Sequence, residues 1–267
     1  MGIMEKSLET AGYLEHSGAH LYSVLHGVSD PLARVLLVGP FASERHFSYI
    51  PWVRWARFLA ARRIEALRYD YRGVGESTGV FEDMSFSSWD EDVRFLADWL
   101  KTRSPSLPLI LHGLELGALL ASKVFAAGVG DALVLWAAPT NANEVLRVGL
   151  LRHIAVDHAF RYGNERKPVA DYVRRLETEP LQVNGYQWTS RLWRESFKFE
   201  MPLNGGDDHD VTLRGEGPVR PVKLDKTAAA LVRGSGYASI NPDLGRLFRE
   251  NFEWINKALT ERARRQS

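Results

Sequence analysis

Residues 107–119 read LPLILHGLELGAL, and this stretch decides the fold class. It begins with the short apolar run Leu107–His112, which predicts a buried strand. Because neighbouring side chains of a strand point to opposite faces, a continuous apolar run is typical of a central strand that is covered on both faces. Gly113 and Gly117 follow this run, and the small residues of Ala118–Ala121 are compatible with the start of a helix. The stretch therefore predicts a central strand, a tight turn and a helix.

The first half of the chain repeats this alternation of strand and helix. Further short apolar runs predict strands at Leu21–Leu25, Arg34–Val38, Glu65–Tyr69 and Ala132–Ala137. Apolar residues at helical spacing predict helices at Tyr49–Arg62 and Ser88–Lys101, with Ser88 as the N-cap of the second. Such alternation is typical of an α/β fold with a mostly parallel sheet and helices on both faces.

The pattern changes near Thr140. Residues 140–205 are richer in arginine and aromatic residues and show no strand alternation, so we interpret them as a cap insertion over one end of the sheet. The run at 205–210, Gly-Gly-Asp-Asp-His-Asp, predicts a loop. An apolar run at Thr227–Val232 and a final helix at Leu244–Glu261 follow. We therefore predict a single domain over residues 1–267 that carries this cap.

The composition excludes several classes of protein. The 34 lysines and arginines nearly balance the 33 acidic residues, whereas a dedicated nucleic-acid binder would show a basic excess. The absence of cysteine excludes disulfides, cysteine-ligated metals and thiol catalysis. No apolar run is long enough to span a membrane, and the N-terminus lacks the pattern of a signal peptide. We expect a cytoplasmic protein that binds a small molecule, with no metal, cofactor or nucleic-acid partner and with its oligomeric state left open.

Three segments carry a resemblance to a known family. They are Gly39-Pro40-Phe41-Ala42, the loop Asp70–Gly79 with its Asp-x-Arg-Gly-x-Gly-x-Ser pattern, and Gly113-Leu114-Glu115-Leu116-Gly117-Ala118. Together with the strand order, they resemble the α/β-hydrolase superfamily and, within it, the exosortase-A-associated hydrolases of bacteria. The resemblance covers residues 20–140. It implies an α/β-hydrolase fold and acyl or ester chemistry in cell-envelope polysaccharide biology.

The resemblance also makes Glu115 the most informative residue of the chain. A member of the superfamily carries its nucleophile, usually serine, on the turn between strand and helix, with small residues beside it. Here Glu115 stands at that position, between Gly113 and Gly117. The resemblance further implies an oxyanion hole formed by the backbone N–H groups of Phe41 and Leu116.

The segment Gly75-Glu76-Ser77-Thr78-Gly79 matches the Gly-x-Ser-x-Gly pattern of a serine nucleophile, but its context argues against that role. A nucleophile turn runs directly into a helix. Ser77 is instead followed by residues 79–83, which have the composition of a loop. We therefore expect Ser77 to be a structural residue.

The catalytic histidine of the superfamily is also missing from its usual place near the C-terminus. The turn at 233–237 carries Tyr237 there, and a tyrosine with a pKa of about 10 is a poor general base at neutral pH. We predict that Tyr237 lies within reach of the Glu115 pocket. His209, in the acidic loop, is a second candidate base, although a surface turn explains it equally well.

Two further residues are assigned to the pocket. Glu44 lies just after the Gly39-Pro40-Phe41 turn and either faces the site or pairs with Arg45 or solvent. His112 directly precedes the turn that carries Glu115. It either hydrogen-bonds to Glu115 or, as we favour, fills the strand end with its ring satisfied by the backbone.

Two hypotheses about function follow. In the first, the chain is a hydrolase in which the Glu115 carboxylate acts as a nucleophile or as a general base for water. In the second, it is a non-catalytic protein of the same fold that binds a ligand or serves as a scaffold. Glu115 would then bind a cationic or hydroxyl-bearing ligand, or pair with a cap arginine such as Arg147 or Arg152.

Overall fold

The computed structural model describes residues 8–160, 166–202, 217–222 and 242–266. Its strands, in chain order, are β1 (Leu8–His16), β2 (Ala19–Gly27), β3 (Ala33–Val38), β4 (Ile64–Tyr69), β5 (Leu109–Leu114), β6 (Ala132–Trp136), β7 (Leu181–Val183), β8 (Tyr186–Trp188) and β9 (Val219–Val222). Seven of them form one sheet in the order β1-β2-β4-β3-β5-β6-β9. The pairs β4-β3, β3-β5, β5-β6 and β6-β9 are parallel, whereas β1 and β2 join as an antiparallel edge.

The predicted fold class is confirmed. The helices are α1 (Ala42–Ala60), α2 (Phe86–Arg103), α3 (Leu116–Ala126), α4 (Ala142–Ala159), α5 (Val169–Thr178), α6 (Ser190–Ser196) and α7 (Pro242–Gln266). One core lies between the sheet and α2 and α3, and it continues under the segment after β6. A second core on the opposite face contains side chains of α1 and α7. Strand β5 is buried at every position, as its apolar run predicts.

The segment interpreted as a cap lies between β6 and β9. It contains α4, α5, the two-stranded hairpin of β7 and β8, and α6. Buried side chains of α4 and of the hairpin, such as Leu150 and Trp188, join the first core. This segment therefore packs against α2 and α3 and shares their core.

Several predicted boundaries were wrong. Helix α1 begins at Ala42 and not at Tyr49, because the polar residues of its first two turns hide the helical spacing of its apolar side chains. Helix α2 takes Ser85 as its N-cap, and Ser88 forms the capping box with it: the Ser88 N–H donates to the Ser85 hydroxyl, and the Ser88 hydroxyl accepts the Ser85 N–H. Strand β1 was missed because its side chains are mostly exposed on both faces, so it has no apolar alternation. The predicted loop at 205–210 and the apolar run Thr227–Val232 lie outside the described residues.

Candidate functional site

Glu115 is the single residue between the last residue of β5 and the first residue of α3. Its backbone has a φ of 53° and a ψ of −116°, a conformation that a non-glycine residue adopts only when surrounding contacts enforce it. One such contact is the hydrogen bond that the Glu115 N–H donates to the Trp136 carbonyl of β6, at 2.9 Å. The residue is only 6% exposed. The fold thus holds a carboxylate-bearing residue in a strained turn at the carboxyl edge of the central strand.

The two glycines beside Glu115 leave no room for a side chain. A Cβ on Gly113 would lie 2.3 Å from the Ala118 Cα. A Cβ on Gly117 would lie 2.0 Å from the Val38 carbonyl oxygen and 2.3 Å from that of Gly39. The start of α3 is therefore packed directly on the end of β3, and this packing fixes the turn that carries Glu115.

The predicted oxyanion residues lie on the two segments that meet here. Leu116 is the first residue of α3, so its N–H belongs to the first turn, where no earlier helical carbonyl accepts it. Phe41 is the N-cap of α1, directly after the Gly39 and Pro40 turn, and its ring is buried against Trp89 and Trp188. The Tyr71 hydroxyl holds this turn by donating to the Gly39 carbonyl at 2.5 Å. Backbone N–H donors are thus available on two adjoining segments.

Glu44 forms an ion pair with Arg152 of α4, 108 positions away in the chain. The alternative that it pairs with Arg45 or solvent was wrong, because Glu44 is buried at the start of α1, where Arg152 reaches it from the cap segment. Its place in the pocket stays a prediction. Its other oxygen, Oε1, is buried and has no hydrogen-bond partner among the described residues. The contact links the first turn of α1 to the cap segment.

Arg45 binds Asp70 instead, donating through Nε at 2.8 Å and through Nη2 at 2.7 Å. The same carboxylate accepts the Glu76 N–H at 3.0 Å. Ser77 lies in this loop, where its hydroxyl donates to the Asp70 carbonyl and accepts the Tyr22 N–H. The Ser77 hydroxyl is therefore engaged in holding the loop, which leads into a short 3-10 helix at Phe81–Asp83 and not into an α-helix.

His112 lies in an aromatic box on the side of α1 and α7. Its Nδ1 accepts a hydrogen bond from the Trp55 indole N–H at 2.9 Å, and its ring is in edge contact with Trp52 and Trp136. The ring is thus bonded through Nδ1 to an indole and not, as expected, to the backbone, and its buried Nε2 has no hydrogen-bond partner among the described residues. Complete burial lowers the pKa of His112 to about 3, so the ring is neutral and carries its proton on Nε2.

The depressed pKa of His112 makes the stability of the protein sensitive to acid. Its folded pKa of about 3 lies below the ordinary 6.5, so the unfolded chain binds a proton that the folded chain does not. The stability that the neutral ring contributes is complete above pH 6.5 and is lost as the pH falls toward 3. In urea titrations between pH 6 and 4, His112→Asn should reduce the slope of the free energy of unfolding against pH by about 1.4 kcal/mol per pH unit. The exposed control His20→Asn removes a histidine and keeps the buried ring; equal slopes for all three proteins would contradict the assignment.

Two predicted site residues, Tyr237 and His209, lie outside the described residues, so their placement near Glu115 stays a prediction. His153 and His158 of α4 lie beside the Tyr172 ring.

Within the described ranges, no three histidine, aspartate or glutamate side chains are grouped as a metal site requires. No described helix is long and apolar enough to cross a membrane.

A cleft of about 660 Å³ opens between α1, α4 and the β7–β8 hairpin. We call it the cap cleft. Its polar wall includes Arg45 and His46 of α1 and Arg152 of α4, and its apolar wall includes Ala155 and Val156 of α4. Ala42 of α1 and Asn184 and Tyr186 of the hairpin complete the lining. Sequence reasoning missed this cleft, because its walls come together only through contacts between distant segments.

The chain is similar to known hydrolases in sequence and in structure. Residues 45–176, just under half of the chain, match the model of a family described as serine aminopeptidase, S33. Among curated proteins, no sequence matches the chain.

Three solved structures of low sequence identity are similar in fold over nearly their whole length. A soluble variant of monoglyceride lipase from Saccharomyces cerevisiae, in complex with a substrate analog, is 12% identical, with a TM-score of 0.62 over 96% of this chain and 98% of that chain. Est1E from Butyrivibrio proteoclasticus, with bound ferulic acid, is 15% identical, with a TM-score of 0.61 over 94% of this chain and all of that chain. The α/β hydrolase GrgF from Penicillium sp. sh18 is 14% identical, with a TM-score of 0.59 over 95% and 99% of the two chains.

Proposed function

The chain has the fold of the α/β-hydrolase superfamily, and from this premise we propose that it is a hydrolase that cleaves an ester or acyl bond of a small molecule through the Glu115 carboxylate. The observation that carries the proposal is the backbone of Glu115. A buried glutamate with a φ of 53°, between glycines that tolerate no side chain, costs stability. Such strain is typical of sites where position serves chemistry.

The surroundings of Glu115 suit a reacting carboxylate. The N-terminus of α3 favours the ionised form, whereas burial opposes it. As a nucleophile, the carboxylate would attack the substrate carbonyl carbon and expel the alcohol, which takes a proton from water. A second water would then hydrolyse the resulting anhydride. As a general base, it would take the proton of a water that attacks the same carbon. Either route places negative charge on the carbonyl oxygen, where the Phe41 and Leu116 N–H groups would stabilise it.

The finer assignment to the exosortase-A-associated branch also belongs to this proposal. Its support is the motif resemblance at residues 39–42, 70–79 and 113–118. That the lipase binds a substrate analog and that Est1E binds ferulic acid supports a small-molecule ligand for this fold. The branch would place the reaction in cell-envelope polysaccharide biology.

A second candidate function is ligand binding without catalysis. The observation in its favour is the state of His112, the histidine closest to Glu115 in the sequence. Its Nδ1 is occupied by the Trp55 N–H, and its pKa of about 3 makes it a very weak proton acceptor. In this alternative the Glu115 carboxylate would hold a hydroxyl-bearing or cationic ligand.

The proposed hydrolase can be tested with p-nitrophenyl esters of increasing acyl length and a sulfonyl fluoride that modifies reactive serines. We expect turnover of at least one ester that the sulfonyl fluoride leaves unchanged, because the residue in the turn is glutamate. Turnover that the reagent abolishes would show serine catalysis and contradict the role of Glu115. Absence of turnover with all esters, combined with stabilisation by one of them in thermal melts, would support the binding alternative.

A further inference from the structure

The cap cleft presents guanidinium groups that are held in place by buried carboxylates. Arg45 is bound by Asp70 through two hydrogen bonds, and Arg152 pairs with Glu44. The Asp70 and Glu44 side chains are only 5% and 4% exposed, whereas those of Arg45 and Arg152 are 29% and 36% exposed. The arginines line the cleft and the carboxylates do not. The carboxylates thus orient the guanidinium groups, while positive charge faces the cleft.

The described lining of the cleft is rich in hydrogen-bond donors and has one apolar side. Arg45 uses Nε and Nη2 on Asp70, and its Nη1 makes no hydrogen bond with any described residue. On the same face of α4 as Arg152, one turn further along, lie Ala155 and Val156, of which Val156 is 57% exposed. A guanidinium edge is suited to a carboxylate, and an apolar wall is suited to a hydrocarbon chain.

We propose that the cap cleft binds a small amphipathic organic acid, with its carboxylate on Arg45 and Arg152 and its hydrocarbon chain on Ala155 and Val156. A single negative charge fits better than a double one. Because Asp70 and Glu44 balance the two guanidinium charges, the attraction comes from the oriented N–H donors and not from net positive charge, so a second charge on the ligand would gain little. The binding does not depend on the proposed hydrolysis.

The binding can be tested by calorimetry with hexanoate, its neutral counterpart hexanamide, and the dianion hexyl phosphate. The protein is the full chain with Glu115→Gln, so that no ligand chemistry interferes. We expect hexanoate to bind at least about tenfold more tightly than hexanamide and no less tightly than hexyl phosphate, with a salt dependence that hexanamide lacks. Equal affinities for hexanoate and hexanamide would overturn the proposal, and tighter binding of hexyl phosphate would overturn the choice of a monoanion.

A matched pair of variants on α4 places the binding in the cleft. Val156→Asp adds a negative charge to the apolar wall and should weaken hexanoate binding by at least about tenfold without changing hexanamide binding by more than about twofold. Leu151→Asp, on the same helix at a position that is 49% exposed but does not line the cleft, should have neither effect. Equal effects of the two variants would overturn the location.

Failure of this inference is separable from failure of the proposed function. Hexanoate binding by the Glu115→Gln protein, combined with absence of ester hydrolysis by the wild type, would reject the hydrolase and keep the acid-binding cleft. Ester hydrolysis without preference for hexanoate over hexanamide would keep the hydrolase and reject the cleft.

Discussion

Replacement of Gly117 by alanine is expected to lower the free energy of unfolding by about 3 kcal/mol or more. The added Cβ would lie 2.0 Å from the Val38 carbonyl oxygen and 2.3 Å from that of Gly39. Both clashing atoms belong to the backbone at the end of β3, so no side chain can rotate away. The clash can be relieved only if α3 separates from the sheet, which would also move Glu115. Urea unfolding followed by circular dichroism measures the effect.

Gly12→Ala provides the control, because a Cβ at Gly12 on the exposed strand β1 meets no atom within 4 Å. We expect its effect on the free energy of unfolding to stay within about 0.5 kcal/mol. Similar losses in the two variants would mean that the packing of α3 on β3 does not fix the turn.

The buried part of the sheet could be predicted from sequence because its strands are short apolar runs. Strands β3, β4, β5 and β6 are covered on both faces, and every one of them was found within a few residues. The edge strands β1 and β9 were not predicted. Strand β1 is exposed on both faces, and β9 is four residues long and contains Pro221, so neither carries the periodicity of a half-buried strand. The central strands could thus be predicted because they are buried on both faces.

The candidate site could be predicted only where it depends on local backbone chemistry. The spacing of Gly113 and Gly117 predicted the turn around Glu115, since small residues are needed where segments pack closely. The ion pair of Glu44 with Arg152 and the pair of Arg45 with Asp70 join positions 108 and 25 residues apart. No periodicity signals such contacts, because they depend on how α1, α4 and the loop after β4 meet in space.

Glu115→Gln is expected to reduce hydrolysis by at least about 10³-fold, because the amide is neither a nucleophile nor a base. The amide keeps the size of the carboxylate, so the packing of the turn should persist. If the carboxylate serves chemistry, stability should stay the same or rise, since a charge is removed from a residue that is 6% exposed. A glutamate that serves only as a structural ion-pair partner behaves in the opposite way. Its loss strands the other charge and costs about 3–5 kcal/mol.

The role of Glu115 is therefore tested most directly by comparing the wild type with Glu115→Gln. Steady-state ester hydrolysis and thermal unfolding are measured for both proteins side by side. If Glu115 is the reacting residue, we expect kcat/KM of Glu115→Gln to be at least about 10³-fold lower than that of the wild type, with Tm unchanged or higher. Retained kcat/KM together with a lower Tm would contradict that role and make Glu115 a structural residue.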